Sequence, residues 1–253
     1  FLRKILGHKT ALFLYVTVSF NWMKELDKNQ IIWRYMSLDK FIDLLLNKRL
    51  IFSPIKIMSD QNEVRWILDT IDESKENHRE GVEKFVESHL KNNFISCWTK
   101  NPDEKISLWR HYLGKDGIGV AIKSKVDSFY KHIKWEENSF SIQEVVYKKE
   151  LKFEDIEGGQ LNFTKGIAYK DEEELRIFTH FNFMKFDEKR KQPVFFEPPS
   201  IMSIGIDLEN FIDSIMISPF CATWQIEVIK QLTEEIVPSL SEKFVKSMIK
   251  EKN

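Results

Sequence analysis

The sequence is poor in cysteine, glycine and proline, and each shortage argues against a class of architecture. Only two cysteines, Cys97 and Cys221, occur in 253 residues. Two thiols so far apart argue against a disulfide scaffold and a cysteine-based zinc site, and they predict a reducing, cytoplasmic setting. With nine glycines and seven prolines, the chain has little material for low-complexity linkers. We therefore expect one compact domain rather than modules joined by flexible segments.

The sequence also lacks an excess of charge and a long apolar run. Its 38 basic and 39 acidic side chains give a net charge of −1, which offers no overall argument for nucleic acid or an anionic membrane as partner. The apolar run at residues 11–20 is too short to cross a bilayer, which takes about 20 residues. We therefore expect no membrane partner. The balanced net charge does not exclude a local basic groove.

Residues 1–22 are expected to form an N-terminal extension outside the domain. Their apolar run resembles the core of a signal peptide, yet no small-residue cleavage site follows it. Met23 opens the segment MKELDKNQ, which looks like a natural start. The domain is accordingly predicted over residues 23–253, with the extension either peripheral or non-native. A buried strand in the apolar run is the alternative.

Aromatic and apolar side chains are plentiful, and they occur in short periodic runs. Hydrophobic residues make up 42% of the chain, including 20 Phe and 7 Trp, which is enough for an aromatic-rich core. Because strands and helices alternate irregularly, we predict an α+β fold, a single domain with mixed or antiparallel sheets flanked by helices. The predicted strands are 31–35, 50–53, 93–98, 118–122, 142–147 and 215–218, and the predicted helices are 38–47, most of 63–90, 126–135 and 223–235.

The helix with the clearest start and stop signals is predicted directly after the strand 93–98. Asn101 is expected to cap it, with Glu104 three residues later, and Gly114 is expected to end it. His111 lies off the apolar stripe of this helix. It is therefore a candidate for phosphate binding or proton transfer, with ordinary packing or hydrogen bonding as the alternative.

The main charged motif lies within residues 169–179. If residues 172–178 form a strand, period two places Glu172, Glu174 and Arg176 on one face. Two carboxylates about 7 Å apart, from a rise of about 3.4 Å per residue, raise at least one carboxyl pKa unless Arg176 compensates. If the segment is instead helical, Glu172 and Arg176 form an ordinary surface pair.

Five ordered segments together resemble the bacterial domain-of-unknown-function family numbered 2971. They are WRYMSLDKFIDLLLNKRLIFSP at 33–54, SDQNE at 59–63, ISCWTKNPDEKISLWRHYLGKDGIGVAI at 95–122, KGIAYKDEEELRIF at 165–178 and MISPFCATWQIEVI at 216–229. The sequence departs from the family pattern where Arg110 replaces the usual Ser and where Tyr169 and Leu175 stand for Trp. The segment SDQNE also lacks the usual Phe and Pro. Membership of this family implies no particular reaction.

The layout of these motifs is also distantly similar to the ADP-ribosyltransferase fold, and this similarity implies an activity. That fold opens with a basic residue on its first strand, continues with a serine-containing strand and carries a Glu-x-Glu on a later strand. The similarity implies an enzyme that takes NAD, a small-molecule nucleotide, as its substrate. It would transfer ADP-ribose to protein, to nucleic acid or to water, as a toxin or a phage-defence effector.

Carried over to this sequence, the similarity assigns roles to individual residues. Arg34 on the first strand would hold the diphosphate, and Ser96 would help to position the nicotinamide. Glu174 would stabilise the ribosyl cation, as a carboxylate does in glycoside hydrolysis, and Glu172 would orient the acceptor. The remaining predicted contacts to NAD come from Tyr169 and Arg176.

Each of these residues also has an ordinary structural interpretation. Arg34 can form an ion pair with Asp39 or with a remote Glu. Ser96 and Cys97 can be plain core residues of an apolar strand. Cys97 has no flanking base, so we do not expect a thiolate nucleophile there.

Two further functions stay open. A metal-dependent nuclease would use Asp60, Glu63, Glu172 and Glu174, because clustered carboxylates suit Mg²⁺. The sequence lacks a lysine at the usual spacing from them, and we predict no metal. A non-catalytic module would bind a ligand or partner in an aromatic-rich pocket, and it predicts charged motifs that pair with each other and leave no open cleft.

Overall fold

The computed structural model describes residues 25–58, 64–70, 76–114, 117–134, 140–152, 160–182, 184–187 and 189–249. Its helices are α1 (Leu38–Asn47), α2 (Glu76–Asn92), α3 (Ile106–Leu113), α4 (Val126–Lys131), α5 (Leu208–Phe211) and α6 (Thr223–Ile236). Its strands are β1 (Ile31–Ser37), β2 (Arg49–Pro54), β3 (Asn93–Thr99), β4 (Gly119–Lys125), β5 (Phe140–Glu144), β6 (Val146–Lys148), β7 (Thr164–Gly166), β8 (Glu174–His180), β9 (Met184–Asp187), β10 (Gln192–Phe195), β11 (Met202–Gly205), β12 (Ser214–Ile217) and β13 (Phe244–Val245). Short 3-10 helices lie at Ile55–Ile57, Arg65–Thr70, Gln160–Phe163, Ile167–Glu172 and Pro238–Lys243.

One large sheet organises the fold. Its strands follow the order β11-β2-β3-β1-β4-β12-β13, with β8 paired to β3 and β5 paired to β8. The pairings are antiparallel except that β12 and β13 run parallel. Two ribbons, β9–β10 and β6–β7, lie outside this sheet, and α1, α2 and α3 pack on its strands. The predicted α+β class, with a mixed sheet flanked by helices, is confirmed.

Helix α1 forms because its apolar residues recur at helical spacing between two strands. Phe41, Leu44 and Leu45 are buried on one side of the helix, as an amphipathic helix requires. Lys48 ends it in the left-handed region, with a φ of 46°, and its amide donates to the carbonyl of Leu44 at 3.0 Å. The helix predicted over residues 38–47 is confirmed.

The main core lies on one face of the sheet and surrounds Trp98. Its ring meets Phe129 and Phe211 edge-on, with centroid distances of 5.1 and 5.7 Å. Leu175 and Ile177 from β8 belong to the same buried cluster. Edge-to-face aromatic pairs add about 0.5–1.5 kcal/mol each beyond the area that they bury. The aromatic-rich core expected from composition is therefore present.

The opposite face of β3 and β8 carries polar side chains near the start of β8 and a second apolar cluster around Ile95 and Phe178. Residues paired directly across antiparallel strands share a face, and neighbours along one strand alternate between faces. Trp98 pairs with Leu175 and faces the main core. Cys97 pairs with Arg176 and faces the other way. This alternation decides which side chains of β3 can meet the Glu-x-Glu motif.

Three predicted boundaries are wrong for local reasons. Asn101 shapes a turn rather than capping a helix, because its Oδ1 accepts the amide of Asp103 at 2.9 Å and α3 begins only at Ile106. Helix α4 is shorter than predicted and ends at Lys131. The strand predicted over 142–147 is divided, because β5 pairs with β8 and β6 pairs with β7.

The C-terminal segment is tied to α3 through Glu104. One carboxylate oxygen accepts hydrogen bonds from Trp109 Nε1 and from Ser247 Oγ, both at 2.7 Å. The other accepts the amide of Met248 at 2.8 Å. Ile249 packs on the cluster that contains Trp109. Glu104 therefore joins α3 to the last described residues of the chain.

Two sequence expectations concern the ends and exterior of the chain. The extension predicted at residues 1–22 lies outside the described residues. Within the ranges that the structure describes, no helix combines the length and the apolar composition of a membrane span.

Candidate functional site

Four charged side chains form a buried cluster at the start of β8. Glu174 is 2% exposed and Arg176 is 0% exposed. Arg176 Nε and Nη2 donate to the two oxygens of Glu174 at 2.8 and 3.1 Å, a bidentate pair. Lys165 Nζ bridges the two carboxylates, at 3.1 Å from Glu174 Oε2 and 2.9 Å from Glu172 Oε2. We call these four residues the ion cluster.

Neutral groups complete the support of the ion cluster. Arg176 Nη1 donates to the carbonyl of Asn162 at 2.6 Å, and the side-chain Oδ1 of Asn162 lies 2.6 Å from His89 Nε2. The amide of Glu174 donates to the Tyr147 hydroxyl at 2.8 Å. Buried charges are stable only when their hydrogen bonds are satisfied in this way. The guanidinium and the carboxylate are thus held in one geometry.

Glu172 reaches the cluster through a turn and not along the strand. The 3-10 helix Ile167–Glu172 ends at Glu173, whose φ of 44° lies in the left-handed region. Lys105 Nζ donates to Glu173 Oε1 at 3.0 Å and to the carbonyl of Asp171 at 3.1 Å, which fixes this turn. The prediction that Glu172 lies on the strand is therefore wrong, since β8 begins at Glu174, although both carboxylates still share Lys165.

The charges of the ion cluster determine its protonation. Burial alone would raise the pKa of Glu174. The positive charges of Arg176 and Lys165, together with hydrogen bonds from Arg176 and from Cys97, hold that pKa well below its usual range. Glu174 is therefore ionised at physiological pH. The sequence-based expectation that Arg176 compensates for the paired carboxylates agrees with this geometry, with Lys165 as a second cation.

Cys97 lies on the same face of β3 as Thr99, the residue paired directly with Glu174. Cys97 is partly buried. Burial and the negative charge of Glu174 raise the pKa of Cys97 well above its usual value. The thiol is thus neutral at physiological pH, which agrees with the expectation that it is not a thiolate nucleophile.

The accessible rim of the cluster is aromatic and carries His111. His111 Nε2 lies 3.9 Å from Glu172 Oε1, with side chains 39% and 14% exposed. The ring of Tyr112 meets His111 edge-on at 5.1 Å. Lys165 Nζ lies 5.0 Å from the centre of the Tyr169 ring. Glu172 is thus the more exposed of the two carboxylates in the cluster.

Tyr112 links α3 to this rim. Its ring stacks on Tyr35 with a centroid distance of 6.1 Å and an interplanar angle of 14°. Burial of the hydroxyl raises the pKa of Tyr112 well above its usual value, and the charges of Glu174 and Glu172 raise it further. Tyr112 is therefore a neutral hydroxyl close to both carboxylates.

Ser96 does not join the site. It is fully buried, its Oγ accepts the indole N–H of Trp98 at 3.0 Å, and it pairs with Ile177 on the main-core face. The expected convergence of Ser96 with Glu174 is therefore wrong. A shift of one residue along a strand reverses the face, so Cys97 and Thr99, and not Ser96, lie on the face of Glu174.

Arg34 lies where β1 and β2 separate along one edge of β3. There β2 pairs with β3 near Ile95 and β1 pairs with β3 at Thr99. Arg34 Nη2 donates to the carbonyl of Ile51 at 3.0 Å, rather than to Asp39 as one interpretation held. A groove of about 30 Å³ lies beside it.

The charge of Arg34 also acts on the polar face of the sheet. Burial lowers the pKa of Arg34, while Cys97 and Tyr112 act to raise it, so all three groups are electrostatically coupled. The guanidinium additionally lies 5.8 Å from the centre of the Trp98 ring. Arg34 shares its face of β1 with Ile32 and Met36 of the main core, so it lies in the gap between the strands and does not join the ion cluster, contrary to the expectation that it lines the site with Glu174.

The charges offer little to a metal ion. Among the described residues, no group of three His, Cys, Asp or Glu side chains could hold one. Lys165 occupies the position between Glu172 and Glu174 that a shared cation would need. Asp60 and Glu63, the other predicted nuclease ligands, lie outside the described residues.

Sequence reasoning brought together Glu172, Glu174, Arg176, Tyr169 and His111, but it missed three contributors. Lys165 is the first residue of the segment KGIAYKDEEELRIF. Its position in the same motif as Glu172 and Glu174 was the signal that could have indicated its role. Cys97 required the register of β3 against β8. Tyr112 was treated as part of the apolar stripe of its helix.

Comparison of the chain with protein-family models, with curated proteins and with solved structures gave no match. The resemblance to the domain-of-unknown-function family and the similarity to the ADP-ribosyltransferase fold therefore stay predictions that rest on the residues themselves.

Proposed function

We propose that the ion cluster and its rim form the active site of an ADP-ribosyltransferase-like enzyme that uses NAD as its substrate. The observation that carries the proposal is the position of Glu172. One oxygen of this carboxylate is held by Lys165 at 2.9 Å, and the other faces the half-exposed His111 at 3.9 Å. A carboxylate held in this way and partly exposed is suited to meet a positively charged transition state.

The geometry reverses the two glutamate roles expected from the sequence. Glu174 is 2% exposed and bound by Arg176 on both oxygens, so it serves as a positioning residue. Glu172 becomes the carboxylate that contacts the ligand. Tyr112 lies beside His111 and Tyr169 beside Lys165, and aromatic side chains there can pack against a nicotinamide ring.

The proposed reaction follows from these positions. The C–N bond between ribose and nicotinamide breaks, and its electron pair leaves with nicotinamide. Glu172 faces the resulting oxocarbenium ion and stabilises its charge. An acceptor oxygen or nitrogen then bonds to the ribose carbon and gives its proton to His111. Arg34 supplies positive charge for the diphosphate. Such a reaction would suit a toxin or a phage-defence effector.

Release of nicotinamide from NAD tests the proposal, measured by chromatography with the chain itself and water as acceptors. Glu172→Gln keeps the size of the side chain but removes its charge. It is expected to slow release at least 100-fold, about 3 kcal/mol of transition-state stabilisation, without lowering Tm. Lys170→Gln, at an exposed position of the same 3-10 helix, is the matched control. A parent protein that releases no nicotinamide contradicts the proposal.

A non-catalytic binding module is the second candidate. One specific observation favours it, since the four charged side chains of the cluster pair with each other, as that hypothesis requires. It predicts a ligand that binds at the rim without turnover. Calorimetry with NAD separates the two, because binding with no release of nicotinamide supports the module and turnover supports the enzyme.

A further inference from the structure

The ribbon of β9 and β10 carries an apolar face in water. Phe186 pairs with Pro193 and Phe195 pairs with Met184, so these four side chains share one side of the ribbon. Phe186 is 63% exposed and Phe195 is 65% exposed. Large apolar side chains gathered on one exposed surface mark an interaction site. We call these four residues the phenylalanine face.

The turn that joins the two strands is charged. Lys189, Arg190 and Lys191 follow one another there and are exposed. Asp187 Oδ1 accepts the amides of Lys189 and Arg190 at 2.9 and 3.0 Å, which shapes the turn. Arg190 keeps 72% of its side chain exposed although its Nε lies 3.7 Å from Asp187. A run of cations thus extends beyond the phenylalanine face.

We propose that this ribbon binds single-stranded nucleic acid. Bases stack on exposed aromatic rings, and the phosphates beside them are attracted to lysine and arginine. Phe186 and Phe195 occupy diagonal positions of the ribbon, roughly 7 Å apart. Aromatic side chains displayed on a sheet in this manner take two or three successive bases of a single strand. The turn cations lie where the strand's phosphates would continue.

The order of charge and apolar surface favours nucleic acid over a bilayer. A ribbon that enters a bilayer must lead with apolar side chains, since charged groups in hydrocarbon are costly. In the sequence, the leading end carries Asp187, Glu188 and the three cations, a net charge of +1, and the apolar side chains lie on the strands behind it. The tip therefore suits an aqueous polyanion.

The surface is separate from the proposed active site. Arg176, the cluster residue farthest along β8, lies four residues before His180, which ends the strand, so about 14 Å of strand separates the ion cluster from the segment that leads into the ribbon. The binding proposal therefore does not depend on the proposed reaction, and either can fail alone.

Fluorescence anisotropy with labelled oligouridylate and oligothymidylate of about twelve nucleotides tests it, a length within the usual range of single-strand sites. We expect the parent protein to bind both strands and to bind a duplex more weakly. Phe186→Ala and Phe195→Ala should each weaken binding at least fivefold. Trp224→Ala, an aromatic residue 64% exposed on α6, is the control and should leave binding unchanged.

The three turn cations give a second measurement. Replacing Lys189, Arg190 and Lys191 by serine should weaken binding. It should also reduce the slope of log affinity against log salt by up to about 2, given roughly 0.7 per phosphate contact in single strands. Circular dichroism and Tm measurements check that each variant is folded. We expect folding to be retained because these side chains are exposed.

Three results would overturn the proposal. The parent protein binds neither oligonucleotide at low salt. The Phe186→Ala/Phe195→Ala protein is folded and binds as tightly as the parent. The parent binds phosphatidylserine vesicles but no oligonucleotide, which assigns the ribbon to a membrane surface. A difference between the uridylate and thymidylate strands distinguishes RNA from DNA as the preferred strand.

Discussion

Cys97 on β3 is paired directly with Arg176 on β8, and the charges of Glu174 and Arg176 act on the pKa of its thiol in opposite directions. Glu174 is the diagonal neighbour of Cys97 across the ladder, because Glu174 itself pairs with Thr99. Cys97 is partly buried, and Glu174 is almost fully buried. The titration of the thiol thus reports on the charges of the ion cluster.

We expect Cys97 to be alkylated slowly near neutral pH and faster as pH rises. Burial and the charge of Glu174 raise the pKa of this thiol well above its usual value, and only the thiolate reacts. Mass spectrometry after iodoacetamide treatment between about pH 7 and 10 measures the rate, with thiols in general titrating near 8.5. Cys97→Ala accounts for labelling of Cys221. Labelling at neutral pH as fast as a free thiol would argue against the raised pKa.

Removing one charge of the Glu174–Arg176 pair should lower the free energy of unfolding more than removing both charges. Glu174→Gln leaves Arg176 buried without its carboxylate, and we expect a loss of about 3–5 kcal/mol in the free energy of unfolding. The double variant Glu174→Leu/Arg176→Leu removes both charges and should recover most of that loss. Chemical denaturation measures each value.

A surface pair provides the control for this comparison. Lys84 Nζ lies 2.6 Å from Glu80 Oε1, with side chains 73% and 71% exposed, so Lys84→Ala should leave stability unchanged. If Glu174→Gln is as mild as that control, the cluster contributes no more than an exposed ion pair, and its structural importance is refuted.

Stability should fall between pH 6.5 and about 4 because of His89. Burial lowers the pKa of His89 from 6.5 to about 4, although its bond to Asn162 acts in the opposite direction. The unfolded chain then binds more protons than the folded one in this window. Stability is therefore complete above the unfolded pKa and decreases as the pH falls, by roughly 3 kcal/mol at 1.36 kcal/mol per pKa unit.

His89→Gln tests the pH effect. Glutamine can still donate to Asn162 but does not titrate, so the slope of stability against pH between 6.5 and 4 should become shallower. Equilibrium unfolding at several pH values measures it. An unchanged slope would place the pH dependence on other groups. A further loss below pH 4.5 is expected in both proteins, because the lowered pKa of Glu174 makes its protonation unfavourable to folding.

His111 should affect turnover and leave stability intact. Its side chain is 39% exposed, so His111→Gln removes little packing. If it accepts the proton of the acceptor, we expect kcat for nicotinamide release to fall at least tenfold with little change in KM. A matching loss of stability, or an unchanged kcat, would deny it that role. Arg110→Gln, the exposed neighbour on the same helix, is the control.

Local signals predicted the elements of this fold better than their contacts. The helix predicted over residues 38–47 is confirmed, because Phe41, Leu44 and Leu45 recur at helical spacing and are buried on one side. Helix α3 begins later than predicted because Asn101 binds the second residue after it, and a turn and a helix N-terminus share that capping chemistry. Such competition is resolved by packing and not by the local sequence.

The candidate site shows the corresponding limit. Glu172, Glu174 and Arg176 lie within five residues, so their proximity could be predicted. Whether Ser96 or Cys97 meets Glu174 depends on the register of two strands that are about 80 residues apart in the chain. The alternation of side chains can be predicted within one strand, but the pairing of the strands determines which face meets the site.

Glu104 gives the protein an order of assembly. Its carboxylate binds Ser247 and Met248 across separations of 143 and 144 residues, and it belongs to the segment that leads into α3, the helix of His111 and Tyr112. Contacts that close so long a loop form late in folding. Synthesis adds about 5–20 residues per second. We therefore expect His111 and Tyr112 to be synthesised several seconds before Glu104 can bind Ser247 and Met248.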